Sequence, residues 1–109
     1  MTILSRDDSI CFVIKSFKCR ETERIFHGKF SRRFPKNIQH IAARKLEMIF
    51  AASQLNSLRI PPSNHLEKLK GKRKGQHSIR VNDQWRICFI WRDNNAFKVE
   101  IVDYHKEKK

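Results

Sequence analysis

A carboxylate, a phenol and an imidazole stand side by side near the carboxyl end of the chain, at Asp103, Tyr104 and His105. These side chains can accept, donate or relay a proton, as general acid–base catalysis requires. The triplet ends an alternating apolar stretch, so it lies at the tip of a predicted strand. Strand ends commonly carry such residues without a catalytic role, so the triplet alone does not define an active site.

A second group of candidate residues is basic. Residues 65–92 contain eight Lys and Arg but only two acidic residues. The basic residues are Lys68, Lys70, Lys72, Arg73, Lys74, Arg80, Arg86 and Arg92. Arg80 and Arg86 lie on predicted strands, where fixed guanidinium groups on one face suit phosphate oxygens. The run 72–74 fits a solvated hairpin loop equally well.

The chain as a whole is strongly basic. Its 109 residues include 24 Lys and Arg against 11 Asp and Glu, a formal net charge of +13. This charge predicts a polyanionic partner: a nucleic acid, an acidic protein or an anionic membrane surface. No apolar stretch is long enough to span a bilayer, which disfavours a membrane protein. The three cysteines form no CxxC pair, so they indicate neither a disulfide framework nor a thiolate zinc site, and they fit a reducing cytoplasm.

The length favours a single domain with one core. We expect this domain to span residues 13–109, after an N-terminal extension at residues 1–12. A β-branched and aromatic run predicts a first strand at residues 11–17, with Ile14 as its buried centre. A short helix is predicted to follow at residues 20–27.

A longer helix is predicted from Pro35 to about Ser53, because apolar residues recur there at steps of three and four. The apolar positions are Ile38, Ile41, Ala42, Leu46, Ile49 and Phe50, and the polar positions are Lys36, Gln39, His40, Arg44 and Glu47. The stretch 56–64 contains two consecutive prolines and is predicted to be an exposed linker.

The second half of the chain alternates between apolar and polar residues, which predicts strands at 66–70, 76–81, 85–92 and 97–103. The connections are short and favour antiparallel pairing. The alternation places Trp85, Ile87, Phe89, Trp91, Phe97, Val99 and Ile101 toward the core and the strand arginines on the opposite face. The order of elements indicates an α+β fold.

Three segments resemble the HigB branch of the RelE toxin superfamily: LEKLKG at 66–71, GQHSIRVNDQWRICF at 75–89 and VEIVDYH at 99–105. Residues 13–17 resemble the opening strand of that family. The resemblance implies two N-terminal helices packed on one face of a mostly antiparallel, twisted sheet of four to five strands, in agreement with the element order. Because family chains usually begin near Val13, residues 1–12 are interpreted as a flexible extension or a translation-start artefact.

Members of this family are ribosome-dependent messenger-RNA endonucleases, the toxin halves of type II toxin–antitoxin pairs. The resemblance implies that this chain cleaves messenger RNA in the ribosomal A site in the cytoplasm. The ribose 2′-hydroxyl would attack its own phosphate, without a metal or cofactor. The resemblance also implies a HigA-like helix-turn-helix antitoxin, which alone would carry contact with operator DNA.

Residue roles also follow from the resemblance. Asp103 and His105 are the proton-transfer candidates. Tyr104 stacks on a base or orients the scissile phosphate, and Arg86 stabilises the transition state, so these two must face each other. The candidates for binding neighbouring phosphates are Lys68, Lys70, Arg73 and Arg80.

One position departs from the family pattern. Family members can place a histidine where Glu67 stands, so the general base remains open between Glu67 and, less favoured, His65 on the same strand face. Two other functions remain open. One is a non-catalytic module that binds RNA through charge and base stacking. The other is an interaction protein that binds an acidic partner or operator DNA.

Overall fold

Two helices cover one face of a four-stranded antiparallel sheet in the computed structural model, which describes residues 13–104. The helices are α1 (Arg20–Phe26) and α2 (Lys36–Ala51), and the strands are β1 (Glu67–Lys68), β2 (His77–Arg80), β3 (Trp85–Arg92) and β4 (Asn95–Asp103). Each strand pairs with the next in sequence. The predicted α+β fold is confirmed, whereas the expected extension at residues 1–12 lies outside the described residues.

The core lies between α2 and the inner face of the sheet. The buried residues that fill it include Ile38, Ala42, Leu46 and Ile49 from α2 and Ile79, Ile87, Phe89, Val99 and Ile101 from the sheet. Trp85 and Trp91 pack at its border, so the inward face predicted for β3 is confirmed. Within residues 13–104, no helix is both long enough and apolar enough to cross a membrane.

Two residues of α2 lie on the side opposite to the one predicted. Ile41 is 38% exposed, whereas Gln39 is buried. The Gln39 side chain accepts a hydrogen bond from the backbone N–H of Ser31 at 3.0 Å and donates to the carbonyls of Ser31 at 2.6 Å and Phe34 at 2.8 Å. These bonds close the turn before α2. A buried amide is therefore accommodated because all three contacts satisfy it.

The first strand is shorter than predicted. In residues 13–17, only Ile14 and Phe17 form bridges, parallel to Ala96 and Val99 of β4. The backbone N–H of Lys15 donates to the Ala96 carbonyl at 2.8 Å. Ile14 is buried as predicted. Between the two bridges β4 is irregular, so a continuous strand at residues 13–17 is wrong; residues 11 and 12 lie outside the described part.

This irregularity is a β-bulge at Lys98. Cys88 pairs with Glu100 and Ile90 pairs with Phe97, so Lys98 and Val99 both lie opposite a single residue, Phe89. Lys98 adopts a positive φ of 52°. The extra residue reverses the alternation, as bulges do.

Phe97 is therefore not on the inner face, where the sequence predicted it. It shares the outer face with its partner Ile90, and the Arg92 guanidinium carbon lies 5.1 Å from the centroid of its ring. Ala96 takes the core position instead and is fully buried.

Residues 55–64 are more ordered and more buried than the predicted exposed linker. They form two short 3-10 helices, Leu55–Arg59 and Pro62–Asn64. Leu58 and Asn64 are buried. The Asn64 side chain accepts a hydrogen bond from Lys45 Nζ of α2 at 2.5 Å and donates to the Leu58 carbonyl at 3.1 Å. This segment is therefore anchored on α2.

We expect Asn64→Ala to lower the free energy of unfolding by about 1–3 kcal/mol, because it leaves the Lys45 ammonium and the Leu58 carbonyl without this partner. Urea denaturation measures the change. Asn56→Ala is the matched control, because Asn56 is exposed and its side chain, within residues 13–104, accepts a bond only from the side chain of Arg59. Equal losses in the two variants would contradict an anchoring role for Asn64.

His77 on β2 favours its neutral form. Its Nδ1 is buried and makes no hydrogen bond within residues 13–104, and its ring stacks 6.3 Å from that of Phe89. Burial, followed by the nearby Lys68 ammonium, lowers the pKa of His77 below its ordinary value of 6.5. Below that pH the unfolded chain binds more protons at this site than the folded chain, so stability falls as the pH falls.

We expect the free energy of unfolding of the wild type to decrease as the pH is lowered from about 7 to about 5. The decrease should be smaller in His77→Gln, because this variant lacks the buried imidazole. Urea denaturation across a pH series measures both curves. His40→Gln, on the exposed surface of α2, should keep the wild-type profile. If the free energies of unfolding of wild type and His77→Gln changed with pH by the same amount, the prediction would be wrong.

Candidate functional site

A cleft of about 320 Å³ opens on the outer face of the sheet, away from the helices. Strand pairing brings its residues together, because Arg80 of β2 pairs with Arg86 of β3, and Arg86 pairs with Val102 of β4. Directly paired residues project from the same face. The residues that line the cleft are His65, Glu67, Arg80, Asn82, Asp83, Arg86 and Tyr104.

Arg86 is the most enclosed charged group of the cleft and is 7% exposed. Its Nε donates a hydrogen bond to Ser78 Oγ at 2.7 Å, and its Nη2 donates to the backbone carbonyl of His65. These contacts fix the plane of the guanidinium. Nη1 donates no hydrogen bond to any residue of 13–104, so one nitrogen remains available to an anion in the cleft.

Glu67 and Tyr104 flank this guanidinium. The Glu67 carboxylate lies 3.7 Å from Arg86 Nη2 and is half exposed, so it can accept a proton from a bound molecule. The ring centroid of Tyr104 lies 5.3 Å from the guanidinium carbon of Arg86, which is cation–π distance. Arg86 and Tyr104 thus face each other, as their predicted roles require.

Arg80 forms the rim of the cleft. Its guanidinium pairs with Asp83, and the two side chains are 36% and 93% exposed. Exposed ion pairs contribute little to stability, so a phosphate can replace this carboxylate at small cost. Asn82 shapes the same rim, because its side chain accepts hydrogen bonds from the backbone N–H groups of Gln84 and Trp85, both at 2.8 Å.

Asp103 does not line this cleft. It pairs with Trp85 and projects from the inner face, because its neighbour Val102 shares the outer face with Arg86. Its carboxylate accepts a hydrogen bond from Gln84 Nε2 at 2.9 Å and lines a second cleft of about 270 Å³. The structure therefore separates Asp103 from Glu67, Arg86 and Tyr104. His105 lies outside the described residues.

Three predicted phosphate ligands also lie outside the cleft lining. Lys68 is exposed and pairs with His77, so it projects from the inner face at the sheet edge. Lys70 is exposed just beyond β1. Arg73 is engaged with Glu100, at 3.0 Å. Of the predicted phosphate ligands, Arg80 is the one that lines the cleft.

Ser78, which holds Arg86, was not among the predicted site residues, and His65 was predicted only through its side chain. Alternation did place Ser78 on the same face as Arg80, which was the available signal. The backbone carbonyl of His65 carries no such signal. His65 itself adopts a left-handed backbone conformation, with φ of 45°, at the end of the second 3-10 helix, and this conformation directs its carbonyl.

Comparison with known proteins agrees with this fold. A family model described as "RelE-like toxin of type II toxin-antitoxin system HigB" matches residues 15–105. The chain is 42% identical over 91 residues to "Toxin HigB-1" of Vibrio cholerae, covering 83% of this chain and 95% of that protein. It is 30% identical over 93 residues to "Endoribonuclease HigB" of Proteus vulgaris, covering 85% of this chain and all of that protein.

A solved structure shares the fold at low sequence identity. It is the YoeB-YefM complex from Staphylococcus aureus, with a TM-score of 0.54 and 17% identity, covering 84% of this chain and 95% of that chain. The family match covers most of the chain, and two curated relatives are at least 30% identical over nearly their full length. The chain therefore belongs to the HigB family of RelE-like toxins of type II toxin–antitoxin systems.

Proposed function

We propose that this protein is an endoribonuclease that cleaves messenger RNA on the ribosome and so inhibits translation. The observation that carries the proposal is the buried, immobilised Arg86 at the base of an open cleft, with a carboxylate and a phenol beside it. A relative with the name endoribonuclease and the match to a toxin family support it.

The reaction we propose is attack of the ribose 2′-hydroxyl on the adjacent phosphorus, in line with the departing 5′-oxygen. It requires removal of the hydroxyl proton, stabilisation of negative charge on the phosphorane, and protonation of the leaving oxygen. This chemistry assigns no role to a metal or a cofactor.

Arg86 fits the stabilising role. Its Nε and Nη2 are held by Ser78 and His65, so Nη1 meets the phosphorane oxygens without prior rearrangement. Arg80 at the rim would hold a neighbouring phosphate after exchanging its Asp83 partner. The ring of Tyr104 would stack on a base or orient the phosphate.

We assign the general base to Glu67. Its carboxylate is half exposed and 3.7 Å from Arg86, whereas the other carboxylate of the cleft, Asp83, is paired with Arg80. Asp103 was predicted for proton transfer, but its place on the inner face does not support that role in this cleft. His105 keeps its predicted role as a second proton-transfer group.

The partners in this proposal are ribosome-bound messenger RNA and a neutralising antitoxin. We propose that the antitoxin is HigA-like and carries the contact with operator DNA, and that the toxin acts in the cytoplasm. The fold neighbour from Staphylococcus aureus is itself part of a complex named for two proteins, which supports a protein partner here.

We expect Arg86→Ala to slow messenger-RNA cleavage on programmed ribosomes about 10²–10³-fold, because it removes a fixed donor to the phosphorane. Arg44→Ala removes the same charge from the exposed surface of α2 and should cleave like wild type. Because Arg86 is buried, thermal unfolding and Arg86→Lys accompany the test. A folded Arg86→Lys or Arg86→Ala variant with wild-type cleavage would rule out the assigned role.

Glu67→Gln should retain binding to ribosomes and slow cleavage about 10²–10⁴-fold, because an amide cannot take the 2′-hydroxyl proton. Single-turnover cleavage and co-sedimentation measure the two effects separately. Glu47→Gln on exposed α2 is the control of equal charge change. Unchanged cleavage in Glu67→Gln would exclude it as the base, and wild-type protein that binds ribosomes but never cleaves would favour a non-catalytic RNA-binding module.

A further inference from the structure

A loop crosses the outer face of the sheet beside the cleft. This basic loop, residues 69–76, begins at Leu69, whose side chain packs with Cys88 of β3 and Val102 of β4. β1 and β4 lie at opposite edges of the sheet, so a segment that follows β1 reaches β4 only by passing over the outer face. The loop contains the 3-10 turn Gly71–Arg73.

An ion pair ties the basic loop to β4. Arg73 Nη1 donates hydrogen bonds to Glu100 Oε2 at 3.0 Å and to Gln76 Oε1 at 3.1 Å. The side chains of Arg73 and Glu100 are only 17% and 14% exposed. Lys18 Nζ lies 3.6 Å from the same Glu100 oxygen. One carboxylate therefore joins the loop, β4 and the segment before α1.

The basic residues of this loop divide into two groups. Arg73 points toward the sheet and is committed to Glu100, and withdrawing it would leave a mostly buried carboxylate with one of its cations removed. Lys70, Lys72 and Lys74 are exposed. The sequence placed Arg73 among the phosphate ligands, but its contacts are those of a structural cation.

We propose that Arg73 and Glu100 are positioning residues, whose ion pair holds Lys70, Lys72 and Lys74 toward the RNA backbone beside the cleft. Lys70 is three residues from Glu67, which lines the cleft, so at most about 11 Å of chain separates them. A strand of RNA with its scissile phosphate at Arg86 therefore passes within reach of Lys70, and Lys72 and Lys74 follow on the same loop. The inference rests on the endoribonuclease function proposed above.

The test depends on whether removing the charge of Glu100 strengthens or weakens RNA binding. Glu100→Gln removes a negative charge, so electrostatics alone would tighten RNA binding. If Glu100 acts by holding the loop, binding weakens instead, and we expect a dissociation constant about fivefold or more above wild type. The assay is fluorescence anisotropy of a labelled oligouridylate with the full-length protein at low salt. Glu47→Gln, with the same charge change on α2, should bind as tightly as wild type or more tightly.

Two further variants keep the test independent of folding defects. Lys72→Ala/Lys74→Ala alters only exposed side chains and should weaken binding by a similar factor and reduce its salt dependence. The reversed pair Arg73→Glu/Glu100→Arg should recover part of the affinity lost in Glu100→Gln. In cleavage assays, Glu100→Gln should raise KM and leave kcat close to wild type, since no reacting group is changed.

Glu100→Gln that binds RNA as tightly as wild type, or more tightly, would overturn the proposal and favour direct phosphate binding by Arg73. Wild-type affinity in the double lysine variant would overturn it as well. The anisotropy assay involves neither ribosomes nor cleavage, so these outcomes leave the results for Arg86 and Glu67 standing. Conversely, failure of the proposed endoribonuclease function would show in the cleavage assays of the Arg86 and Glu67 variants and would leave the anisotropy data unchanged.

Discussion

A guanidinium group that is almost withdrawn from water must be satisfied by its surroundings, and the cleft is built around meeting this requirement for Arg86. Its partners come from three places in the chain: the His65 carbonyl before β1, the Ser78 hydroxyl on β2 and the Tyr104 ring after β4. The site therefore exists only when the sheet register, the preceding loop and the end of the last strand are all in place. A cation positioned by so many independent segments is rigid before any substrate arrives.

The helical layer contributes to this site although it lies on the other side of the sheet. Lys45 of α2 binds the buried side chain of Asn64, and the next residue, His65, turns in a left-handed conformation and presents its carbonyl to Arg86. A short path of contacts thus leads from the core-facing helix to the outer cleft. Folding of the helical layer and assembly of the cleft are coupled through these few residues.

Alternation along β2 and β3 correctly predicted which of their side chains enter the core and that Arg80 and Arg86 share the outer face, because a strand period of two can be read from the sequence. The same alternation along β4 also places Asp103 on the face opposite to Arg86. The prediction grouped Asp103 with Tyr104 as one motif, although neighbouring residues of a strand project from opposite faces. The burial of Gln39 and Asn64 could not be predicted in this way. Each is satisfied by partners that become neighbours only after the chain has folded.

The bulge at Lys98 changes how β4 must be compared between related proteins. Before it, Ala96 faces the core and Phe97 faces outward; after it, Val99 and Ile101 face the core. Deleting Lys98 would make the strand regular and would leave Ala96 facing the core and Phe97 facing outward, because Lys98 is the extra residue of the bulge. An alignment of a relative without the bulge that omits this gap would therefore pair core-facing positions with outward-facing positions on one side of it, even where sequence similarity remains high.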